Sequence, residues 1–257
     1  MELKQEIAHR MSLVATKANL DLIIALRELG DYGRDATKKL ERIVRLDHVV
    51  LSPHAAAALL KVNEHNDVAN DYLTLQLRSD EPERIWRSAY AVGISGRVKA
   101  NTIPLLERNL SHPDVRVRTL CACALLKSEP PNHDSDRCHA TLAGALCVRD
   151  QATPTEFVYP SDSGPSHRLI ALSGIGSADD KIAIYWGPLL AVLTAENRTD
   201  TQTSILLRVK TLKILSEQKQ IPMYVLFTLS TMASNPEKLG MRQLDGTSQE
   251  LLMKIIE

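Results

Sequence analysis

The sequence predicts an all-α protein assembled from paired helices, and three observations carry that prediction. Apolar residues recur three and four positions apart through most of the chain, as in Ile103, Leu106 and Leu110, which is the stripe of a helix with one buried face. The alternation of a half-buried strand is absent, and Phe, Trp and Tyr together supply only 4% of the residues, whereas strands favour such side chains. The third observation is an internal repeat. Pro82 aligns with Pro113, Glu83 with Asp114, Trp86 with Val117, Arg87 with Arg118 and Ala91 with Ala122, all at an offset of 31 residues. A fixed period of this size marks units that bury their apolar faces only by stacking on one another.

The elements follow in order as seven helix pairs. The periodicity places helices over 3–17 and 19–30, 34–46 and 52–63, 66–78 and 82–95, and 97–110 and 113–127. Three further pairs occupy 136–149 and 165–176, 180–195 and 202–218, and 221–234 and 247–257. Pro82 and Pro113 each stand at the start of a second helix, where the missing amide donor costs nothing. Looser copies of the unit begin at His167, with Arg168 at the repeated arginine, and at Leu206, with Arg208 there. Residues 1–257 therefore read as one repeat domain, interrupted by a long loop at about 150–166 inside a single pair.

Pro113, Asp114, Val117, Arg118, Ala122, Ala124 and Leu125 give the order proline, acid, Val-Arg, spaced alanines and leucine. That order resembles the HEAT repeat, and the 31-residue spacing resembles its short bacterial type, first described in phycobilisome lyases. The strong resemblance covers about residues 66 to 127. It implies a right-handed superhelix of antiparallel helix pairs whose second helices line a concave face. It also implies a ladder in which the arginines at 87 and 118 join acidic residues of adjacent turns or repeats. The residues themselves support a structural role for Arg87 and Arg118. Arg116 and Arg118 lie about 200° apart on a helix, so one of them turns toward the packed side, and a partly buried guanidinium needs a partner. Cys121, Ala122, Ala124 and Leu125 then fill the close-packed side.

Composition narrows the function classes. Hydrophobic residues make up 44% and charged residues 24%, enough for a continuous core. The 31 basic and 31 acidic side chains cancel, which argues against a chain held to nucleic acid or membrane by its total field. The first twenty residues carry early charges and lack the apolar core of a signal peptide, and no apolar run is long enough to cross a bilayer. A cytoplasmic location with no membrane partner is expected. Cys121, Cys123, Cys138 and Cys147 sit in apolar helical patterns, which suits reduced, buried thiols.

Chemistry has few places to reside. His133, Asp134, Asp136, Cys138 and His139 form the densest group of potential metal ligands, but their spacing matches no strong motif. The competing reading is an inter-repeat loop in which Asp134, Ser135 or Asp136 caps the next helix. Nucleophile-elbow, phosphate-loop and dinucleotide signatures are absent, so no cofactor is expected and an enzyme is not the favoured reading. Between Arg84 and Arg118 seven basic side chains face two acidic ones, with Arg97, Lys99, Arg108 and Arg116 as candidate phosphate contacts. In the long loop, Phe157 and Tyr159 stand among turn formers as candidate anchors. The expected function is a non-catalytic interaction scaffold binding a protein partner through its concave face and the 150–166 loop. Two alternatives stay open: a nucleic-acid-binding or DNA-repair protein using the central basic repeats, and a lyase or chaperone-like factor for a chromophore-bearing protein, suggested by the repeat type alone.

Overall fold

The computed structural model describes residues 36–97, 99–128, 133–148, 166–175, 181–196, 202–234 and 246–256. The helices predicted at 3–17 and 19–30, and the loop carrying Phe157 and Tyr159, lie outside the described residues. Among the described residues the chain is all-α, with twelve α-helices, one 3-10 turn and no strand.

In the first part of the chain the helices are α1 (Thr37–Arg45), α2 (Leu51–Val62), α3 (Asp67–Gln76), α4 (Pro82–Ser95), α5 (Ile103–Asn109), α6 (Val115–Ser128) and α7 (Ser135–Cys147). In the second they are α8 (His167–Ile175), a 3-10 turn (Ile182–Tyr185), α9 (Trp186–Glu196), α10 (Gln202–Ser216), α11 (Met223–Ser234) and α12 (Gly246–Ile256). Each lies on a predicted helix. The two starts that differ most do so for proline. A helix beginning at 97 would place Pro104 in its interior, where the ring clashes with the carbonyl four residues earlier, so α5 starts at Ile103 with Pro104 in its first turn. Pro188 acts alike: the helix predicted over 180–195 divides into a 3-10 turn and α9, leaving Pro188 in the first turn of α9.

Caps fix several other ends. The Asn66 side chain accepts from the Ala69 amide at 3.0 Å, and Gly96 ends α4 at a φ of +65°, a conformation open to glycine at little steric cost. At α6, Asp114 Oδ1 accepts from the amides of Arg116 (2.7 Å) and Val117 (3.4 Å). Burial alone would raise the Asp114 carboxyl, but the Arg116 guanidinium and these amides hold it below its ordinary range.

The turn into α2 depends on His48. Its Nδ1 accepts the amides of Val50 and Leu51, both at 3.2 Å, while its own amide donates to Ser52 Oγ at 2.8 Å. Burial, and then the nearby charge of Arg87, holds the imidazole below its ordinary pKa of 6.5. Protonation therefore favours the unfolded chain: the stabilisation is intact above pH 6.5 and is lost as the pH falls from there toward the lowered folded value. Thermal unfolding of the first part is expected to occur at lower temperature at pH 5 than at pH 7. His48→Asn, which keeps an acceptor but does not titrate, should flatten that dependence; an unchanged slope would remove His48 from the account.

The chain divides into two compact units, Met1–Cys138 and His139–Glu257, the division falling within α7. In the first unit each first helix packs on its own second helix, and the second helices pack on one another in succession, α2 on α4 and α4 on α6. The α4–α6 contact is the most extensive. A Cβ added at Gly93 would lie 3.4 Å from the Ala124 backbone, so small residues set the closeness of these helices. Every residue from Leu51 to Leu60 is buried, as is almost all of α6 from Val117 to Leu125. In the second unit α8 packs on α10 and α10 on α12, and α9 and α11 pack on the second helices of their own pairs. No helix among the described residues is long and apolar enough to cross a membrane.

Candidate functional site

The 31-residue period appears in the first unit as polar ties between equivalent corners of successive helix pairs. Asp47 Oδ1 accepts from Gln76 Nε2 at 3.0 Å and Arg84 Nη1 at 2.9 Å. Glu64 pairs with Arg97, and Lys99 Nζ lies 2.8 Å from Asp67 Oδ1. The hydroxyls of Thr74 and Thr102 are 3.1 Å apart, and the Leu77 carbonyl accepts from Arg108 Nη2 (3.2 Å) and Asn109 Nδ2 (3.0 Å). Lys99 holds the Asp67 carboxyl below its ordinary value.

These ties change the meaning of the basic segment. Of the four candidate phosphate contacts, Arg97 and Lys99 are matched by carboxylates from the preceding pair, and Arg116 lies 3.3 Å from Asp114 Oδ2. Arg84 is held by both Asp47 and Glu81. The excess of base read along the sequence is thus largely balanced in space, by Asp47, Glu64 and Asp67 of the preceding corners and by Glu81 and Glu83 just upstream of Arg84. Arg108 is the exception, since its side chain donates to a backbone carbonyl and is not paired with a carboxylate among the described residues.

The repeated arginines face inward to different degrees. Arg87, Arg168 and Arg208 are buried. Arg87 donates from Nε and Nη2 to Glu83 Oε1 at 2.9 and 2.6 Å, and its guanidinium carbon lies 4.4 Å from the centre of the Trp86 ring. Arg168 Nε donates to the Val148 carbonyl at 2.9 Å. Arg118 is half-buried and donates to the carbonyls of His112 and Pro113 at 2.6 and 2.7 Å. Asp114, the acid nearest it in sequence, is occupied by Arg116.

The five candidate metal ligands do not converge. Asp134 Oδ1 accepts from the Arg137 amide at 2.9 Å and caps α7. Asp136 is exposed and Cys138 is buried; burial pushes the Cys138 thiol up to about 12. His133 is half-buried, and His139 Nδ1 lies 2.6 Å from the Tyr185 hydroxyl. Among the described residues no group of three His, Cys, Asp or Glu side chains could hold a metal ion. The thiols of Cys121 and Cys123 are also raised by burial, that of Cys123 to about 12, which leaves them as poor nucleophiles. Lys210 Nζ lies 3.1 Å from Ser173 Oγ, but that hydroxyl donates to the Leu169 carbonyl at 2.9 Å. The serine proton is thereby directed to the backbone rather than to the amine.

Among the described residues two surfaces stand out for recognition. In the second unit, Met223, Tyr224 and Phe227 on α11 are 79%, 56% and 73% exposed. A groove of about 590 Å³, lined by Ile182, Trp186, Gln220, Ile221 and Pro222 among others, includes the residues that immediately precede α11 in the chain. Sequence reading missed this row because "MYVLFTL" has the composition of a core helix. In the first unit, a groove of about 300 Å³ lies between the corners of two successive pairs and includes Arg78 and Arg108. Trp86 and Trp186 are both buried, so neither presents the free face on which a base would stack. Comparison of the chain with protein-family models, with curated proteins and with solved structures finds no match.

Proposed function

We propose that the protein is a non-catalytic interaction scaffold, its helix pairs stacked in the HEAT manner as a right-handed superhelix, and that it docks a partner protein through the apolar row of α11. The exposure of Met223, Tyr224 and Phe227 carries this reading: large apolar and aromatic side chains grouped and exposed on one helix are the residues that anchor protein interfaces. The succession of second helices in each unit supports the stacked architecture. The buried second helices of the first unit present little open surface, so the described part of the chain favours α11 over a concave face. Phe157 and Tyr159 stay with the proposal as loop anchors on sequence grounds alone. The nucleic-acid reading loses support, since Arg97, Lys99 and Arg116 are already matched by acids.

Tyr224→Ser combined with Phe227→Ser is expected to leave thermal stability nearly unchanged, because both side chains face solvent, and to reduce capture of the partner protein at least tenfold. Full capture by that double variant would exclude α11 as the docking surface.

A further inference from the structure

We infer that the groove between the corners at 78–80 and 109–112 is a binding site for a phosphate monoester dianion. Its position is a product of the repeat: Arg78 and Arg108 occupy neighbouring corners 30 residues apart and line the same groove. Arg84, Arg87, Arg97, Lys99 and Arg116 each have a carboxylate partner. Arg78 and Arg108 have no carboxylate within ion-pair distance among the described residues, although Asp80 shares their groove.

The polar groups around them suit an oxyanion. Arg108 Nη2 is fixed on the Leu77 carbonyl at 3.2 Å, which orients the guanidinium and leaves other N–H groups to donate. Arg137 Nη2 donates to Ser111 Oγ at 2.6 Å, which ties a third guanidinium to a residue of the groove lining. His112 Nδ1 accepts the Asp114 amide at 3.0 Å, so a neutral His112 carries its proton on Nε2 and remains a donor. Guanidinium forks, an imidazole N–H and a serine hydroxyl around a small open groove match the several acceptor oxygens of a phosphate better than the two of a carboxylate. Asp80 opposes this charge, and its opposition gives the proposal a test of sign.

The site lies in the first unit and α11 in the second, so this inference stands or falls separately from the docking role of α11. The full chain is titrated by calorimetry with inorganic phosphate, with a phosphoserine-containing peptide and with the same peptide unphosphorylated. Saturable binding of the two phosphate compounds but not of the unmodified peptide is expected. Arg78→Gln should weaken it at least fivefold, Arg108→Gln similarly, and Asp80→Asn should strengthen it about threefold, while Arg116→Gln leaves it unchanged. Tighter binding of the phosphopeptide than of inorganic phosphate assigns the groove to a modified partner protein; equal binding assigns it to the free anion. Arg78 is exposed, so its variant should fold as the parent does even if Arg108→Gln does not. Absence of saturable phosphate binding, or binding indifferent to Arg78→Gln and Asp80→Asn, would overturn the inference.

Discussion

Arg87→Ala is expected to lower the stability of the first unit by about 3 kcal/mol. Arg87 is only 3% exposed, and its guanidinium stacks on the buried Trp86 ring and donates twice to Glu83. Alanine would forfeit a desolvated cation–π contact of about 2 kcal/mol and leave a cavity beside the indole. Glu83, being exposed, would simply return to water. Arg118→Ala should cost about 1 kcal/mol, because its half-buried side chain gives up bonds to two carbonyls that solvent can partly replace. Urea unfolding in a Trp186→Phe background, where Trp86 fluorescence reports the first unit, ranks the two. A larger loss for Arg118→Ala than for Arg87→Ala would reverse the assignment of roles along the arginine series.

Ala124→Leu should destabilise the same unit by about 3 kcal/mol, at the upper end of what overpacking a core costs. Ala124 is wholly buried, and its backbone lies within 3.4 Å of where a Cβ on Gly93 would stand. Three added carbons there must push α4 from α6, the broadest helix contact of the unit. Gly93→Ala adds one methyl at the edge of ordinary contact and should cost far less. Equal effects of the two substitutions, measured by the same unfolding transition, would show that α4 and α6 do not meet through these residues.

The all-α class and the positions of the helices were legible in the sequence because helix periodicity, prolines at or just before helix starts and the 31-residue offset are local signals that agree with one another. Pro82 and Gly96 bound α4 where the pattern places it. The misplaced starts at Ile103 and Trp186 came from letting an apolar stripe run past Pro104 and Pro188. Charge was less legible. A window from Arg84 to Arg118 cannot show that Glu64 and Asp67 fold against Arg97 and Lys99 one repeat later. Nor could sequence tell which arginine Asp114 would hold. As the cap of α6 it turns its carboxylate to the Arg116 amide, and the Arg116 side chain follows while Arg118 reaches back to the preceding carbonyls. The apolar row of α11 was hidden for a different reason, since composition does not say which apolar face lacks a neighbour.

On this reading α11 meets a protein while the central basic residues serve the repeat itself. A photo-crosslinking residue placed at position 227, and in a second variant at position 97, tests it in the cells that make the chain, with protein and nucleic acid identified together by mass spectrometry. A discrete protein adduct is expected from position 227, lost with Tyr224→Ser, and no nucleic-acid adduct from position 97. Nucleic acid recovered from position 97, with nothing recovered from position 227, would contradict it.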